Sequence, residues 1–135
     1  MHAKCKQADR LSREVIGAAI EVHRIMGAGL LESIYERCML RELDLRGITA
    51  VNQRNVQVRY KDVVFKEELR FDLLIEESLL VEIKALREVH PIHKAQLLSY
   101  MKLLNIPLGL LINFHELKVV DGVSRLMLPG TLPAD

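Results

Sequence analysis

Apolar positions near the start of the chain recur at three- and four-residue steps, which is the stripe of an amphipathic helix. They are Leu11, Val15, Ala18, Ala19, Val22 and Ile25. The Gly27-Ala28-Gly29 step predicts a break, because two glycines in three residues weaken a helix and permit a sharp turn. A second helix is predicted from Leu30 to about Arg46, with Gly47 as its C-cap. It is expected to turn Leu31, Ile34, Cys38 and Leu45 inward.

After Gly47 the hydrophobic period becomes two, which indicates strands. Val56 to Tyr60 is the first, and Lys61-Asp62 is a plausible turn. The next strand, Val63 to Ile75, is expected to place on one face Leu69, Phe71, Leu73 and Ile75, and on the other Arg70, Asp72 and Leu74. A turn at residues 76–78 then leads to a third strand, Leu79 to Ala85. Three consecutive strands without a helix between them imply an antiparallel meander.

The last third of the chain predicts one more helix and more strand. Pro91 suits a first helical turn, and the helix should end at Asn105. Leu108 to Phe114 is almost wholly apolar, as expected for a strand covered on both faces and parallel to the third. Asp121-Gly122 is a hairpin signal between residues 118–120 and 123–128. We expect the first ten or so residues and the last six or so to be frayed.

Composition and length bound the class of protein. With 135 residues, 50% of them hydrophobic, the chain can form one domain with its own core. A net charge of +1 argues against a strongly basic nucleic-acid coat protein, although it allows a local patch. Cys5 and Cys38 form neither a zinc nor a disulfide pattern, which fits a reduced, cytoplasmic setting. The longest uncharged run, Leu103 to Phe114, is too short for a bilayer, and no signal peptide is expected.

The sharpest chemical feature is an acid on one predicted strand and an acid and a lysine on the next. Glu82 and Lys84, two residues apart, share a face of their strand. If the turn at residues 76–78 pairs the strands, residues whose numbers sum to about 154 lie opposite one another, which places Asp72 across from Glu82. Two carboxylates are a ligand set that Mg²⁺ prefers, and a nearby lysine could stabilise charge on a phosphorus centre. The alternative is a surface ion pair of Glu82 and Lys84 beside an unrelated Asp72.

Two helical pairs stand beside these strands. Gln96 and Tyr100 are four residues apart on the predicted third helix, and Glu32 and Tyr35 are three apart after Gly29. Each has a plain structural interpretation. The tyrosines would be core-edge residues, Gln96 would be solvated, and Glu32 would favour the positive end of its helix.

The conjunction of these motifs resembles a known family. Gly29 to Tyr35 spells GxxExxY, and with Asp72, Glu82-Ile83-Lys84 and Gln96 to Tyr100 the chain resembles the GxxExxY family of the PD-(D/E)XK nuclease superfamily. The resemblance covers roughly residues 11–114. It implies an α/β (α+β), restriction-endonuclease-like fold, a mixed sheet flanked by helices. Its core order, αβββαβ, is also the order that the periodicity predicts, here with a C-terminal hairpin in addition.

The resemblance also implies roles. Asp72 and Glu82 match metal-binding acids, with the backbone carbonyl of Ile83 as a further ligand, and Lys84 matches a catalytic lysine. The other residues that match catalytic positions are Glu32, Gln96 and Tyr100. We expect substrate contacts from Tyr35, Lys94 and Arg87. The implied function is hydrolysis of phosphodiester bonds in nucleic acid, DNA rather than RNA, by a metal-activated water with Mg²⁺, or Mn²⁺ as its substitute.

Two other interpretations remain open. The chain could be a non-catalytic module that keeps the fold to bind nucleic acid or protein, since fold and motif do not prove turnover. It could also be a homo-oligomer in which apolar strand edges pair between subunits, a possibility suggested by the apolar residues from Val119 to Leu128.

Overall fold

The computed structural model describes residues 3–129. The helices are α1 (Ala3–Met26), α2 (Glu32–Leu45) and α3 (Pro91–Leu104). The strands are β1 (Ala50–Tyr60), β2 (Val63–Ile75), β3 (Leu79–Lys84), β4 (Leu108–Asn113) and β5 (Val123–Met127), and a 3₁₀ turn spans Val119–Gly122. One sheet has the order β1-β2-β3-β4-β5, with β3 and β4 parallel and the other neighbours antiparallel. The predicted mixed sheet flanked by helices, a restriction-endonuclease-like fold, is confirmed.

The sheet carries a hydrophobic core on each face. The first contains side chains of α1 and α2, among them Val15 and Met39, packed with Val81 and Ile83 of β3. The second contains α3, through Leu97 and Met101 among others. β4 is buried along its whole length because helices cover both of its faces, as its apolar sequence predicts. Among the described residues, no helix is long and apolar enough to cross a membrane.

The amino-terminal helix is longer than the sequence indicates, and the expected fraying of the first ten residues is wrong for residues 3–10. Helix α1 begins at Ala3. Cys5 and Ala8 are buried and extend the apolar stripe by two turns, although lysines flank Cys5 and hide the pattern. The expected fraying of the last six residues falls on positions outside the described part of the chain.

The predicted inward face of α2 is rotated from the one observed. The structure buries Tyr35, Met39 and Leu43, at four-residue steps, whereas Leu31 and Leu45 are exposed. Leu31 precedes the first helical residue, so the helical repeat does not include it. The buried face begins instead at Tyr35, whose ring is part of the core.

Strand β2 changes its alternation at Asp72. Leu69, Phe71 and Leu74 pack in the α3-side core, whereas Leu73 and Ile75 pack in the core beneath α1 and α2. The β1–β2 register shifts between Val51 and Gln53, opposite this stretch. A β-bulge of this kind re-aims side chains, so the predicted single face for Leu69 through Ile75 is wrong. β1 also begins at Ala50, six residues before the predicted start.

The predicted meander and its register are confirmed. Glu76 and Glu77 have φ of 48° and 58°, a left-handed pair that makes a tight hairpin turn. The β2–β3 partners Leu73↔Val81, Leu74↔Leu80 and Ile75↔Leu79 all follow the predicted sum of 154.

The predicted hairpin at Asp121-Gly122 is wrong. Residues 119–122 form a 3₁₀ turn, and β5 pairs with β4 rather than with residues 118–120. A Cβ on Gly122 would lie 2.3 Å from the carbonyl oxygen of Asn113. The glycine therefore permits its backbone to lie close to the end of β4. In the sequence, a glycine needed for such a close approach looks the same as a glycine in a hairpin turn.

Candidate metal and active site

The site forms where backbone pairing between β2 and β3 stops. The last backbone pair is Leu73↔Val81. Beyond this pair the side chain of Asp72 replaces the backbone as the hydrogen-bond partner of β3. Its Oδ2 accepts a hydrogen bond of 2.6 Å from the backbone N–H of Ile83. Extending the register one step places Asp72 opposite Glu82, as the sequence predicts. The bulge at Asp72 thus brings a carboxylate to the end of the strand that carries Glu82 and Lys84.

Three carboxyl groups meet there. Glu82 and Glu36, the latter from α2, both hydrogen-bond to Asp72, and all three residues are half-buried. Burial, with the hydrogen bond to ionised Asp72 and its charge, raises the pKa of Glu82 to about 9. The hydrogen bond to Asp72, with burial and the same charge, raises the pKa of Glu36 to about 8. Glu82 and Glu36 are therefore the members of this cluster that hold protons at neutral pH.

Asp72 is the ionised member of this cluster. Burial acts to raise its pKa, but hydrogen bonds from Glu82, Glu36 and the Ile83 N–H, and the charge of Lys84, bring the pKa below its usual value. Lys84 lies in the last position of β3, where its carbonyl accepts a hydrogen bond of 2.8 Å from the backbone N–H of Phe114. The charge of its ammonium lowers the pKa of all three acids.

Glu32 is joined to the same strand end. It is the first residue of α2, and its Oε1 accepts a hydrogen bond of 3.3 Å from the backbone N–H of Ala85, directly after β3. Its negative charge contributes to the raised pKa of Glu36 and of Glu82. Glu32 and Glu36 line an open cleft of about 630 Å³ together with Gly29, Leu30, Leu31, Ser33, Ala85 and His115. The two acids of α2 therefore face open space beside the end of β3.

The loop before α2 is held by Tyr35. Its hydroxyl donates to the carbonyl of Gly27 at 2.6 Å and accepts from the N–H of Leu30 at 3.0 Å. Its ring stacks on Phe114, with centroids 4.4 Å apart. Gly27 and Gly29 adopt φ of 82° and 84°, the left-handed region that glycine occupies without strain. The glycine and the tyrosine of the GxxExxY motif thus shape the turn that presents Glu32.

The sequence predicts that Tyr35 contacts a substrate, but the structure does not place it where it could do so. Its side chain is completely buried and both hydrogen-bonding capacities of its hydroxyl are satisfied inside the protein. It has no surface with which to touch a substrate, and its role in this structure is to brace the loop.

The loop after β3 has a comparable brace. Asn113, buried at the end of β4, accepts from the N–H of Leu86 at 3.0 Å and donates to its carbonyl at 2.8 Å. Because this pair of bonds mimics a strand pairing, the segment that follows Lys84 is fixed against β4.

The remaining predicted residues lie away from these contacts. Gln96 and Lys94 are exposed on α3, and Tyr100 is half-buried against the α3-side core. Arg87 is exposed and lines a separate depression of about 640 Å³ with His90 and His93. Within the described part of the chain, none of these four makes a hydrogen bond or ion pair with Asp72, Glu82 or Lys84.

Glu36 is the site residue that sequence reasoning missed. It stands four residues after Glu32, so both lie on one face of α2. That spacing is the sequence signal that could have identified Glu36 as a site residue. However, Glu36 follows the tyrosine that ends the motif and resembles an ordinary surface acid.

The donor set fits a hard divalent cation. Three carboxyl groups with one nearby lysine place excess negative charge at this strand end, which contributes to the raised pKa values of Glu36 and Glu82. Across residues 3–129, no three His, Cys, Asp or Glu side chains are placed to hold a metal by themselves. Mg²⁺ does not need such a cage, because it binds through one or two carboxylates and keeps several waters. Asp72, Glu82 and the Ile83 carbonyl are the groups that would hold it.

Comparison with known proteins agrees with the fold. The chain resembles a crystal structure described as that of SSO0001, with a TM-score of 0.53 and 21% sequence identity. The match covers 96% of this chain and 64% of that one, so this chain spans less than two-thirds of the other's length. No curated protein matches. The sequence profile of the PD-(D/E)XK nuclease superfamily matches residues 9–126. Since that match includes both helices before the sheet, the α3 crossover and every strand, the chain belongs to the PD-(D/E)XK nuclease superfamily.

Proposed function

We propose that this protein is a Mg²⁺-dependent nuclease that hydrolyses phosphodiester bonds in DNA, and that it belongs to the GxxExxY family within its superfamily. The observation that carries the proposal is the placement of Asp72, held by the Ile83 N–H, against Glu82 and Lys84 at the end of β3. The superfamily assignment supports a nuclease-type fold, and the proposal adds the metal, the chemistry and the substrate.

The metal and the lysine have distinct roles in the proposed reaction. When bound, Mg²⁺ supplies a water of lowered pKa and neutralises charge on the phosphate. Asp72 and Glu82 are its carboxylate ligands, and Asp72 is held in place by the Ile83 N–H. Lys84 orients the attacking water through its ammonium and stabilises the charge that builds on the phosphate oxygens.

Glu32 and Glu36 position this site from α2. Glu32 ties the start of the helix to the backbone after β3, and Glu36 reaches Asp72 from the same helical face. A shift of α2 would move both carboxylates away from the strand end. The proposal therefore makes them positioning residues, whose replacement changes metal affinity and cleavage while leaving Lys84 in place.

A cleavage assay with a matched lysine control tests this function. Linear and supercoiled DNA are incubated with the full chain in Mg²⁺, in Mn²⁺ and in EDTA. We expect cleavage with either metal, none in EDTA, and a loss of about 10³-fold in Lys84→Ala, the scale of removing one transition-state charge donor. Lys102→Ala, an exposed lysine on α3, should retain activity within about threefold.

The same assay separates the alternative of a non-catalytic module. Absence of cleavage with both metals, together with DNA binding that EDTA does not change, would contradict the nuclease. Cleavage that persists in purified Lys84→Ala would show a contaminating enzyme rather than this site.

A further inference from the structure

The two longest strands extend beyond the rest of the sheet as a two-stranded ribbon. β2 pairs with β3 only at residues 73–75, whereas it pairs with β1 from Arg70 to Val63 as well. From Gln53↔Arg70 to Tyr60↔Val63 no third strand within residues 3–129 pairs with the hairpin. An isolated two-stranded hairpin gains little stability in water. A projection of this length, hereafter the ribbon (residues 53–60 and 63–70), thus calls for a partner outside the sheet.

The register sorts the ribbon into two unlike faces. Residues directly opposite one another share a face. The pairs Gln53↔Arg70, Gln57↔Lys66 and Arg59↔Val64 therefore lie together, and Asn55 lies among them. This polar face presents three cations and three side-chain amides. Its acid, Glu68, forms an exposed ion pair with Arg70 at 3.0 Å.

The other face of the ribbon is apolar and continues the α3-side core. Val56 and Leu69 pack in that core, and Tyr60, Val63 and Phe65 follow them outward with exposures of 65%, 52% and 45%. Its cation, Arg54, is paired with Glu77. Arg59 and Lys66 thus lie on the face opposite Phe65, whereas the exposed ring of Tyr60 has the Lys61 ammonium 5.4 Å from its centroid, at the turn. Single-stranded nucleic acid uses several aromatic rings along one basic groove, and Arg59 and Lys66 lie on the face without rings.

The ribbon's cations without an ion pair among the described residues lie on the polar face. Arg59 and Lys66 are exposed, and within residues 3–129 neither side chain forms an ion pair or hydrogen bond. Because the apolar face belongs to the α3 side, the polar face lies on the side of α1 and α2. That is the side from which Glu36 of α2 reaches Asp72. The polar face and the candidate metal site are therefore continuous along β2.

The spacing along β2 matches a duplex. At about 3.4 Å per residue, Arg70 lies within about 7 Å of Asp72 along the strand and Lys66 within about 20 Å, because the bulge beside Asp72 shortens the path. Arg59, opposite Val64, lies within about 27 Å, which is up to about eight base-pair steps. The major groove admits a two-stranded β-ribbon, in which amides and cations contact base edges and phosphates.

We infer that the polar face of the ribbon binds duplex nucleic acid and aligns it with the candidate metal site. The identity of the substrate rests on the proposed function. The ribbon is the additional element that binds this substrate. Arg59 and Lys66 contact phosphates about six to eight base pairs from the bond at the metal site, and the amides between them lie along the groove.

Binding without cleavage is the direct test. A fluorescein-labelled 30-base-pair DNA duplex is titrated with the full chain in EDTA at several salt concentrations. The variant Arg59→Gln with Lys66→Gln should bind about tenfold more weakly, and its log–log salt slope should fall by about 1.8, or about 0.9 for each phosphate that is no longer neutralised. The control, Arg13→Gln with Lys102→Gln, removes the same charge from exposed positions of α1 and α3 and should leave both values unchanged.

The outcomes separate this inference from the proposed function. Single-turnover cleavage of the duplex at saturating protein should stay within about twofold in the ribbon variant, because the carboxylates and Lys84 are intact. Ribbon-dependent binding by a wild-type chain that never cleaves supports the ribbon and contradicts the nuclease. Cleavage with equal duplex affinity in wild type and ribbon variant overturns the ribbon alone. A change in sedimentation in the ribbon variant without a change in duplex affinity means that this face contacts a second copy, and also overturns it.

Discussion

The two motifs that end in tyrosine, Gly29 to Tyr35 before and on α2 and Gln96 to Tyr100 on α3, occupy different kinds of place in the molecule. Tyr35 is fully buried, stacked on Phe114 and hydrogen-bonded at both ends of a glycine turn. Tyr100 is half-buried at the edge of a core, and Gln96 is exposed. The first motif builds the turn that presents Glu32, whereas the second lies on a helix surface. A tyrosine three or four residues after a polar residue is thus part of the core in α2 and lies at the protein surface in α3.

The comparison is tested most strongly by removing each tyrosine ring. Tyr35→Ala should lower the free energy of unfolding by about 4 kcal/mol, the range for a buried aromatic side chain. Tyr100→Ala should lower it by about 1 kcal/mol, because part of its surface already faces water. Urea unfolding followed by circular dichroism measures both. Equal losses would mean that the two motifs are structurally alike.

The glycine of the first motif gives a smaller effect. Gly29 has φ of 84° and open space around its absent Cβ, so Gly29→Ala tests backbone strain without steric overlap. We expect a loss of about 1–2 kcal/mol in unfolding free energy. Gly29→Asn should lose less, because asparagine tolerates the left-handed region. An alanine variant as stable as wild type would show that the turn does not depend on this conformation.

The smallest expected effect is a pH dependence of stability that arises from Glu36 and Glu82. The pKa values of Glu36 and Glu82 rise from 4.5 to about 8 and about 9, so the folded protein holds more protons than the unfolded chain between those limits. Their contribution to stability is complete below pH 4.5 and is lost as the pH rises through 8 and 9. Because the cluster is half-exposed, screening limits the change to about 1 kcal/mol.

Calorimetric melting between pH 5 and pH 9 without metal measures this dependence. The melting temperature should fall as pH rises, and Glu82→Gln should flatten the curve. Glu88→Gln, at an exposed position after β3, should not. A melting temperature that rises over this interval would contradict the shared protons.

Much of the fold could be predicted because its signals are local. The turn at Glu76-Glu77 sets the register, and Pro91 with Asn105, at φ 56°, marks the ends of α3. The β2 bulge could not be predicted, since Leu73 and Leu74 are both apolar and either could face either core. The close approach of Gly122 to Asn113 likewise depends on a tertiary contact.

The site divides in the same way. The juxtaposition of Asp72 and Glu82 follows from strand pairing, which the turn determines. The position of Glu36 beside Asp72 does not follow from strand pairing, because it depends on how α2 packs on the sheet. The prediction of Tyr35 as a substrate contact fails because a helix pattern gives the spacing of a side chain but not whether a neighbouring ring covers it.

Titration calorimetry of the full chain with Mn²⁺ and Mg²⁺ tests the central claim most directly, that Asp72 and Glu82 form a site for a hard divalent cation. The wild type should bind metal with release of protons, more tightly as pH rises, because Glu82 must ionise. Asp72→Asn should weaken binding by on the order of 100-fold or more, whereas Asp62→Asn, in the exposed turn between β1 and β2, should leave it unchanged. A wild type that binds neither metal, or an Asp72→Asn variant that binds as the wild type does, would contradict the account.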